Sequence, residues 1–422
     1  MQRVYVTGLG VISSIGIGRR AYWEALLAGR SGASEVESFD TAGMGRSIAC
    51  EVKGFDERDF LTAAEQQRMA RCSQLAVAST RMAVEDAGLE PAALAGPRTS
   101  VVLGTTMGEA HLLEEQQQRW FLGGTDAIEA NLLPRYGTTL LPIHVARALG
   151  ARGLVQAIPT ACAAGNYAIA YAADLIRAGR ADVVVTGAAE LLERLQFAGF
   201  VRIGAMSPDR SRPFDADRKG LLLGEGAATL VLESARHAEA RGAAPLAEVG
   251  GCGLACDGFH ITRPDADGRR IADSMREAIA TSGLRPGDVD HVNAHGTATA
   301  ANDVIESRAI NDVFGAHRPA VTSIKSMLGH SMGAAAALEA VACVLSLDDG
   351  VIPPTIHLDH QDPECDIDVV ANAPREVPLE VVLNNAIAFG GQECAVIFAK
   401  PGRLPESADP PGVARASREA AR

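Results

Sequence analysis

The strongest constraint on the fold of this chain is that it repeats itself in order. Arg98-Thr-Ser-Val-Val-Leu-Gly104-Thr-Thr is echoed by Val289-Asp-His-Val-Asn-Ala-His295-Gly-Thr-Ala-Thr. The stretch around Cys162 is echoed by Ala320-Val-Thr-Ser-Ile-Lys325-Ser-Met-Leu-Gly-His330. Gly224-Glu-Gly-Ala-Ala-Thr-Leu-Val-Leu-Glu233 is echoed by Phe389-Gly-Gly-Gln-Glu-Cys-Ala-Val-Ile-Phe398. A period this long denotes two related units, not a solenoid. Strands alternating with helical patterns in each unit argue for an α/β architecture of layered sheets covered by helices. The halves are expected at 1–248 and 249–400. Residues 401–422 carry Pro, Ser, Ala and charge without an apolar period, and are expected to be disordered.

Within the first half, Leu154 to Ile158 reads as a short buried strand. From Ala163 onward Ala164, Ala168, Tyr171 and Leu175 recur at helical spacing. Cys162 therefore falls on the turn between strand and helix. Unpaired N–H groups and the positive end of the helix dipole lie there, and both are expected to favour thiolate over thiol. Ala161, Ala163, Ala164 and Gly165 are small enough to leave the sulfur approachable. A free cysteine is more often a small core residue, so the turn alone makes Cys162 only a candidate nucleophile.

Other segments carry less. Ala63 to Ala87 reads as one helix with Arg68 and Arg71 on a basic face and Gly88 closing it. Glu109 to Ala130 is polar and reads as an insertion suited to an oligomer contact. Gly8-Leu9-Gly10 follows a strand at Arg3 to Thr7 and invites a dinucleotide reading. Ser13 stands where a third glycine belongs and no ribose-binding acid follows, which argues against it.

Composition excludes several classes of function. The net charge of −13 and the absence of a basic stripe argue against nucleic acid. The eight cysteines are scattered over 422 residues, the pattern of reduced cytosolic thiols, and Cys252 with Cys256 has no second pair at zinc spacing, so no metal site is expected. No run of about 18 apolar residues appears, and the chain enters a strand at once, so neither membrane span nor targeting segment is expected and the cytoplasm is the expected compartment.

The second half supplies His295 in Asn293-Ala-His-Gly-Thr297-Ala-Thr299, and His330 at the end of Lys325-Ser-Met-Leu-Gly-His. Each lies beside glycine at a strand-to-loop transition, like Cys162. The following helix is apolar nearly all round, so it should be buried. Glu339 in its middle then needs a partner, and Lys325 is the natural one.

Thr-Ala-Cys162-Ala-Ala-Gly, Asn-Ala-His295-Gly-Thr-Ala-Thr and Lys325 to His330 together resemble the β-ketoacyl-(acyl-carrier-protein) synthases. Synthase II and the type II polyketide ketosynthases are the nearest in pattern. Arg3-Val-Tyr-Val-Thr-Gly-Leu-Gly-Val, Leu26-Leu-Ala-Gly-Arg-Ser-Gly32, Arg212-Pro-Phe-Asp215 and Phe389-Gly-Gly391 match in the same order. The resemblance covers about residues 1 to 400. It implies the thiolase fold, duplicated halves in an α-β-α-β-α arrangement, normally as a homodimer.

The resemblance also implies chemistry. Cys162 takes an acyl group from a carrier thioester, with its own N–H and that of Phe389 as the oxyanion hole. His295 and His330 hold the enolate made by malonyl decarboxylation, and Lys325, held by Glu339, sets the electrostatics. Thr297, Thr299 and Thr262 resemble the pantetheine contacts, Met107 the floor of the acyl pocket, and Phe389 with Gly390 and Gly391 the gate. No bound cofactor is implied, since substrates ride on the phosphopantetheine of an acyl carrier protein. Arg68, Arg71 and Arg202 are the candidates for docking that acidic carrier, although Gly204 stands where the family often has a base.

Two departures stand out: the family's Thr-Asn after Phe-Gly-Gly is Gln392-Glu393, and its Gly-Phe-Gly lead-in is Ala386-Ile387-Ala388. Two other readings compete with a condensing enzyme. A silent partner of the chain-length-factor type, which would make the assembly a heterodimer, is disfavoured by the retained Cys162. A simple cysteine acyltransferase needs neither Lys325 nor a second histidine.

Overall fold

The structure, a computed structural model, describes residues 2–405. Ten principal strands carry the architecture. β1 is Val4–Ser13, β2 Thr99–Gly104, β3 Val155–Ile158, β4 Val183–Glu190 and β5 Gly226–Ser234. β6 is Ala247–Cys256, β7 His291–Asn293, β8 Ala320–Thr322, β9 Val381–Ile387 and β10 Gln392–Ala399. The helices used below are α1 (Arg19–Leu27), α2 (Ala63–Arg68), α3 (Arg71–Asp86), α4 (Ala110–Gly123) and α5 (Leu140–Leu149). They continue with α6 (Ala164–Arg177), α7 (Arg194–Arg202), α8 (Arg269–Thr281), α9 (Ala300–Phe314) and α10 (Ala335–Asp349).

Strand order makes the duplication visible. Outward from the centre one half reads β1-β5-β4-β2-β3, and the other reads β6-β10-β9-β7-β8 with a short edge strand at Asp368–Val369. Each strand of the first half thus has its counterpart five numbers later. Within the sheet the halves join through two residue pairs, Tyr5 with Glu248 and Val6 with Ala247. A division at 248/249 therefore cuts inside β6. In both halves the inner strands are buried on both faces, which is why each carries a short Val/Leu run, Val101 to Leu103, Val183 to Val185 and Val381 to Leu383.

Three apolar cores separate the layers. The central core holds α6 and α10, packed on each other and on the strands of both halves. α3 with α5 covers one outside, and α8 with α9 the other. Glycines permit the closest outer contacts, and at equivalent places. A Cβ on Gly8 or Gly10 would lie 2.2 or 1.8 Å from carbonyl oxygens of α3, and on Gly251 or Gly253 2.4 or 1.8 Å from those of α8. The Gly8-Leu9-Gly10 motif is thus a helix-packing device.

Four expectations need correction. The helix over 63–87 is broken at Met69 and Ala70 into α2 and α3. Thr62 and Glu65 form a reciprocal capping box at the start of α2. β3 is an edge strand and not a buried one: it ends the sheet, and Gln156 is exposed. The 109–130 segment is no mere polar insertion, since α4 exposes Trp120, Phe121 and Leu122. Of the tail, residues 401–405 are packed: Leu404 is buried and its carbonyl accepts from Arg3. Residues 406–422 lie outside the described residues. Among the described residues no helix is long and apolar enough to cross a membrane.

Candidate active site

β3 ends at Ile158, and a single 3-10 turn at Ala161–Ala163 leads into α6. Ala161 takes a left-handed φ of 47°, and this sharp elbow presents Cys162 at the helix N-terminus. The backbone N–H groups of Phe389 and of Cys162 itself point at the thiol. Burial nevertheless pushes the thiol up to about 11, against the pull of Phe389 N–H and Lys325. The expectation that the helix terminus would hold a thiolate is corrected: with Cys162 only 3% exposed, desolvation outweighs it, and the resting group is a thiol.

His295 and His330 meet edge to face, ring centroids 5.3 Å apart. Both are buried, and burial first, then the Lys325 ammonium, holds each well below the usual imidazole range. They are neutral N–H donors at physiological pH. Neither Nδ1 has a protein partner. Lys325, at the start of the short helix Lys325–Leu328, donates to Glu339 Oε1 on α10, and both are buried. Burial raises Glu339 to about 7, with Lys325 pulling the other way.

Several supporting residues escaped sequence reasoning. Glu306 on α9 accepts from the His295 and Gly296 N–H groups at 2.7 and 2.8 Å, and from Asn385 at 2.7 Å. Asn384 ties the two halves together: its amide donates to Asn166 on α6 and to the Ala336 carbonyl on α10, and it accepts from Asn293. Phe200 on α7 stacks on Phe389, centroids 5.7 Å apart. Glu190, at the end of β4, accepts from the N–H groups of Thr106, Met107 and Gly333. The available signal was a charged residue inside an apolar stretch, as in Val304-Ile305-Glu306. Nothing in the sequence says which backbone such a carboxylate meets.

The remaining candidates fall in different places. Thr297 and Thr299 are hydrogen-bonded to each other at 2.9 Å, two and four residues past His295. Thr262 lies in an exposed loop whose neighbour Ile261 accepts from Gly390 N–H, so this loop lies on the 389–391 segment. Gly390 and Gly391 both take positive φ, 85° and 77°. Met107 is half-buried and follows Thr106 beyond β2. Arg68 and Arg202 are exposed at the last turns of α2 and α7. Arg71 is bound by Glu225 at 3.1 Å and by the Val52 carbonyl, while its side chain stays 40% exposed. Among the described residues no group of three or more His, Cys, Asp or Glu is placed to hold a metal ion.

The site thus combines a cysteine on an elbow, two backbone donors aimed at its thiol, two neutral histidines and a buried Lys–Glu pair. Residues 1–238 match the family model "Beta-ketoacyl synthase, N-terminal domain", and residues 246–359 match "Beta-ketoacyl synthase, C-terminal domain". The chain belongs to the β-ketoacyl synthase family. This synthase is 39% identical to a 3-oxoacyl-(acyl-carrier-protein) synthase 2 of Synechocystis sp., over 94% of this chain and 98% of the relative. It is similar to the solved ishigamide ketosynthase/chain length factor, with 44% identity and a TM-score of 0.92 over 95% of this chain and all of the other. It also resembles a type II polyketide ketosynthase solved in complex with its acyl-carrier protein and bound to the hexaketide, at 32% identity and TM-score 0.87, covering 94% and 99% of the two chains. The synthase has the thiolase fold of this condensing-enzyme family, in duplicated halves.

Proposed function

We propose that this synthase performs a decarboxylative Claisen condensation, extending an acyl chain by two carbons from malonyl-acyl-carrier protein. The observation that carries the proposal is the joint placement of Cys162 under two N–H groups and of two neutral histidines beside Lys325. In the first stage Cys162 Sγ attacks the carbonyl carbon of a carrier thioester. The oxygen gains charge between the Cys162 and Phe389 N–H groups. The carbon–pantetheine sulfur bond breaks, and the pantetheine thiol leaves with the proton that Cys162 gives up.

In the second stage the malonyl carboxylate leaves as carbon dioxide, and its electron pair moves into an enolate whose oxygen accepts from His295 and His330. Neutral imidazoles suit this role because their N–H donates to the enolate oxygen without transferring its proton, which would quench the nucleophilic carbon. The enolate carbon attacks the acyl-Cys162 carbonyl, a carbon–carbon bond forms, and the Cys162 thiolate is expelled. Burial first, and then Lys325, fixed by Glu339, keep both rings neutral. Thr297, Thr299 and Thr262 contact the pantetheine arm, and Met107 limits the acyl chain. Phe389 opens with Gly390 and Gly391, leaving its stack on Phe200.

An acyl carrier protein docks on Arg68 and Arg202, and a second subunit covers the Trp120–Leu122 surface and the unpaired edge of β3. Similar solved structures that pair a ketosynthase with a chain length factor, or with a carrier protein, support these partners.

Intact-protein mass spectrometry after exposure to acyl-carrier should show one added acyl group, absent in Cys162→Ala. Cys162→Ala should still release carbon dioxide from malonyl-carrier, whereas His295→Ala and His330→Ala should lose that release by ~10²-fold or more. Acylation at another cysteine, or histidine variants that decarboxylate at the parental rate, would overturn the assignment.

A further inference from the structure

Several buried polar side-chain atoms of the first half have no hydrogen-bond partner. β2, β3 and β4 run parallel, with Gly104 opposite Ile158 on one side and Ala188 on the other. Two residues past that register stand Thr160, Thr106 and Glu190, and Thr106 N–H donates to Glu190 at 2.5 Å. Cys162 follows Thr160 by two residues. The carboxyl ends of parallel strands are where open α/β sheets take their ligands.

The Thr160 hydroxyl is buried here and has no partner. Past Glu190 the chain enters α7, where Gln196 is 7% exposed and neither its amide oxygen nor its amide nitrogen has a partner. Gln196 lies one turn before Phe200, hence on the same helix face, and Phe200 stacks on Phe389, whose N–H points at the Cys162 thiol. The next residue, Phe197, is fully buried against Phe39, so this face of α7 points inward. Native interiors rarely leave a whole primary amide unsatisfied, and a saturated alkyl chain would satisfy none of it.

We propose that Gln196, with Thr160, forms a specificity subsite for oxygen substituents on the acyl chain, so that the matched substrate carries a keto or hydroxyl group along its length. The inference rests on the reading that Cys162 carries that chain. The Gln196 amide can donate to a ketone and both donate to and accept from a hydroxyl, and the Thr160 hydroxyl does the same. A site built to hydrogen-bond an oxygen discriminates against the analogue lacking it, because its own groups are then left unpaired.

The experiment compares acyl-carriers of equal length, saturated or bearing one oxo or hydroxyl group at successive carbons. The readouts are Cys162 acylation by mass spectrometry and kcat/KM for condensation. The parent should prefer at least one oxygenated isomer by about tenfold. Gln196→Met, similar in shape but apolar, should abolish that ratio and raise the melting temperature, since it removes an unsatisfied amide. Thr160→Val provides a second reading of the ratio should Gln196→Met not fold. A parent with no preference for any isomer, a variant that keeps the parental ratio, or a lowered melting temperature in Gln196→Met would each overturn the subsite. Failure of Cys162 to take up an acyl group from any donor would instead overturn the condensing reading beneath it.

Discussion

The duplication allows one turn to be compared with itself. In the first half Ala161 takes φ 47° and in the second Met332 takes φ 46°, and each is followed by one 3-10 turn and an apolar helix, α6 or α10. Left-handed non-glycine residues cost about 1–3 kcal/mol, and the strained elbow is retained in both copies although only one carries a cysteine. The residue after the left-handed position is Cys162 in one and Gly333 in the other. Gly333 N–H donates to Glu190 at 3.2 Å, and a Cβ there would lie 2.7 Å from Glu190 Oε2. Cys162 N–H instead faces its own thiol, with Phe389 N–H beside it. The elbow is therefore a property of the fold. What separates the two copies is that the Gly333 amide meets a carboxylate whereas the Cys162 amide faces a thiol.

The helices under the elbows differ as well, and this difference should produce the largest effect. Six residues past Cys162 lies Ala168, fully buried; six past Gly333 lies Glu339, buried and bonded to Lys325. Replacing Lys325 or Glu339 by Ala leaves a lone buried charge and should destabilise the fold by ~3–5 kcal/mol. Ala168→Ser under the first elbow should cost less than either. Chemical denaturation of the three variants checks this, and losses within about half a kcal/mol of parental for both charged positions would remove the pair from the structure of the site.

A smaller effect tests the elbows themselves. Gly333→Ala drives a methyl group into Glu190 Oε2 and the Thr106 N–H, 2.8 Å away, and should cost about 1–3 kcal/mol by overpacking. Cys162→Ala removes one atom from a site without such crowding and should leave stability nearly unchanged while acyl uptake is lost. Equal stability changes at both positions would show that the elbows are packed alike.

Much of this difference was legible in the sequence. Cys162 between a strand pattern and a helix pattern located the elbow, and the apolar surround of Glu339 pointed to Lys325. What could not be read were the distant carboxylates: Glu190 and Glu306 owe their roles to backbone N–H groups that only the folded chain brings to them. The protonation of Cys162 was misjudged for the same reason, since a local dipole is visible in sequence whereas burial is not. The break between α2 and α3 had no glycine or proline to announce it; a fully buried Cys72 and Leu75 on α3 show that packing, not local propensity, sets the direction there.

The smallest predicted effect concerns the two glutamates that stand by the two elbows without a cation. Glu190, by the Gly333 elbow, accepts from at least three backbone N–H groups, and burial raises it only to about 7. Glu393 follows the Phe389 to Gly391 segment that faces Cys162. It is fully buried, and neither carboxyl oxygen has a partner. Burial, with Asp257 and Glu306 nearby, pushes it well above the usual carboxylate range. The folded chain therefore keeps a proton on Glu393 at pH values where the unfolded chain has lost it. That stability is fully present below the ordinary carboxylate range and drains away as pH rises toward the folded value, by up to about 1.4 kcal/mol per pH unit. Glu393→Gln, neutral and of the same shape, should match the parent at pH 4 and gain on it steadily from pH 5 to 8. Glu190→Gln should also gain on the parent as pH rises from the ordinary carboxylate range, but only up to about 7, where Glu190 ionises in the folded chain, and should run parallel to it above that. Melting temperatures across that range decide between them: parallel curves for parent and Glu393→Gln would mean that Glu393 finds a partner in solution.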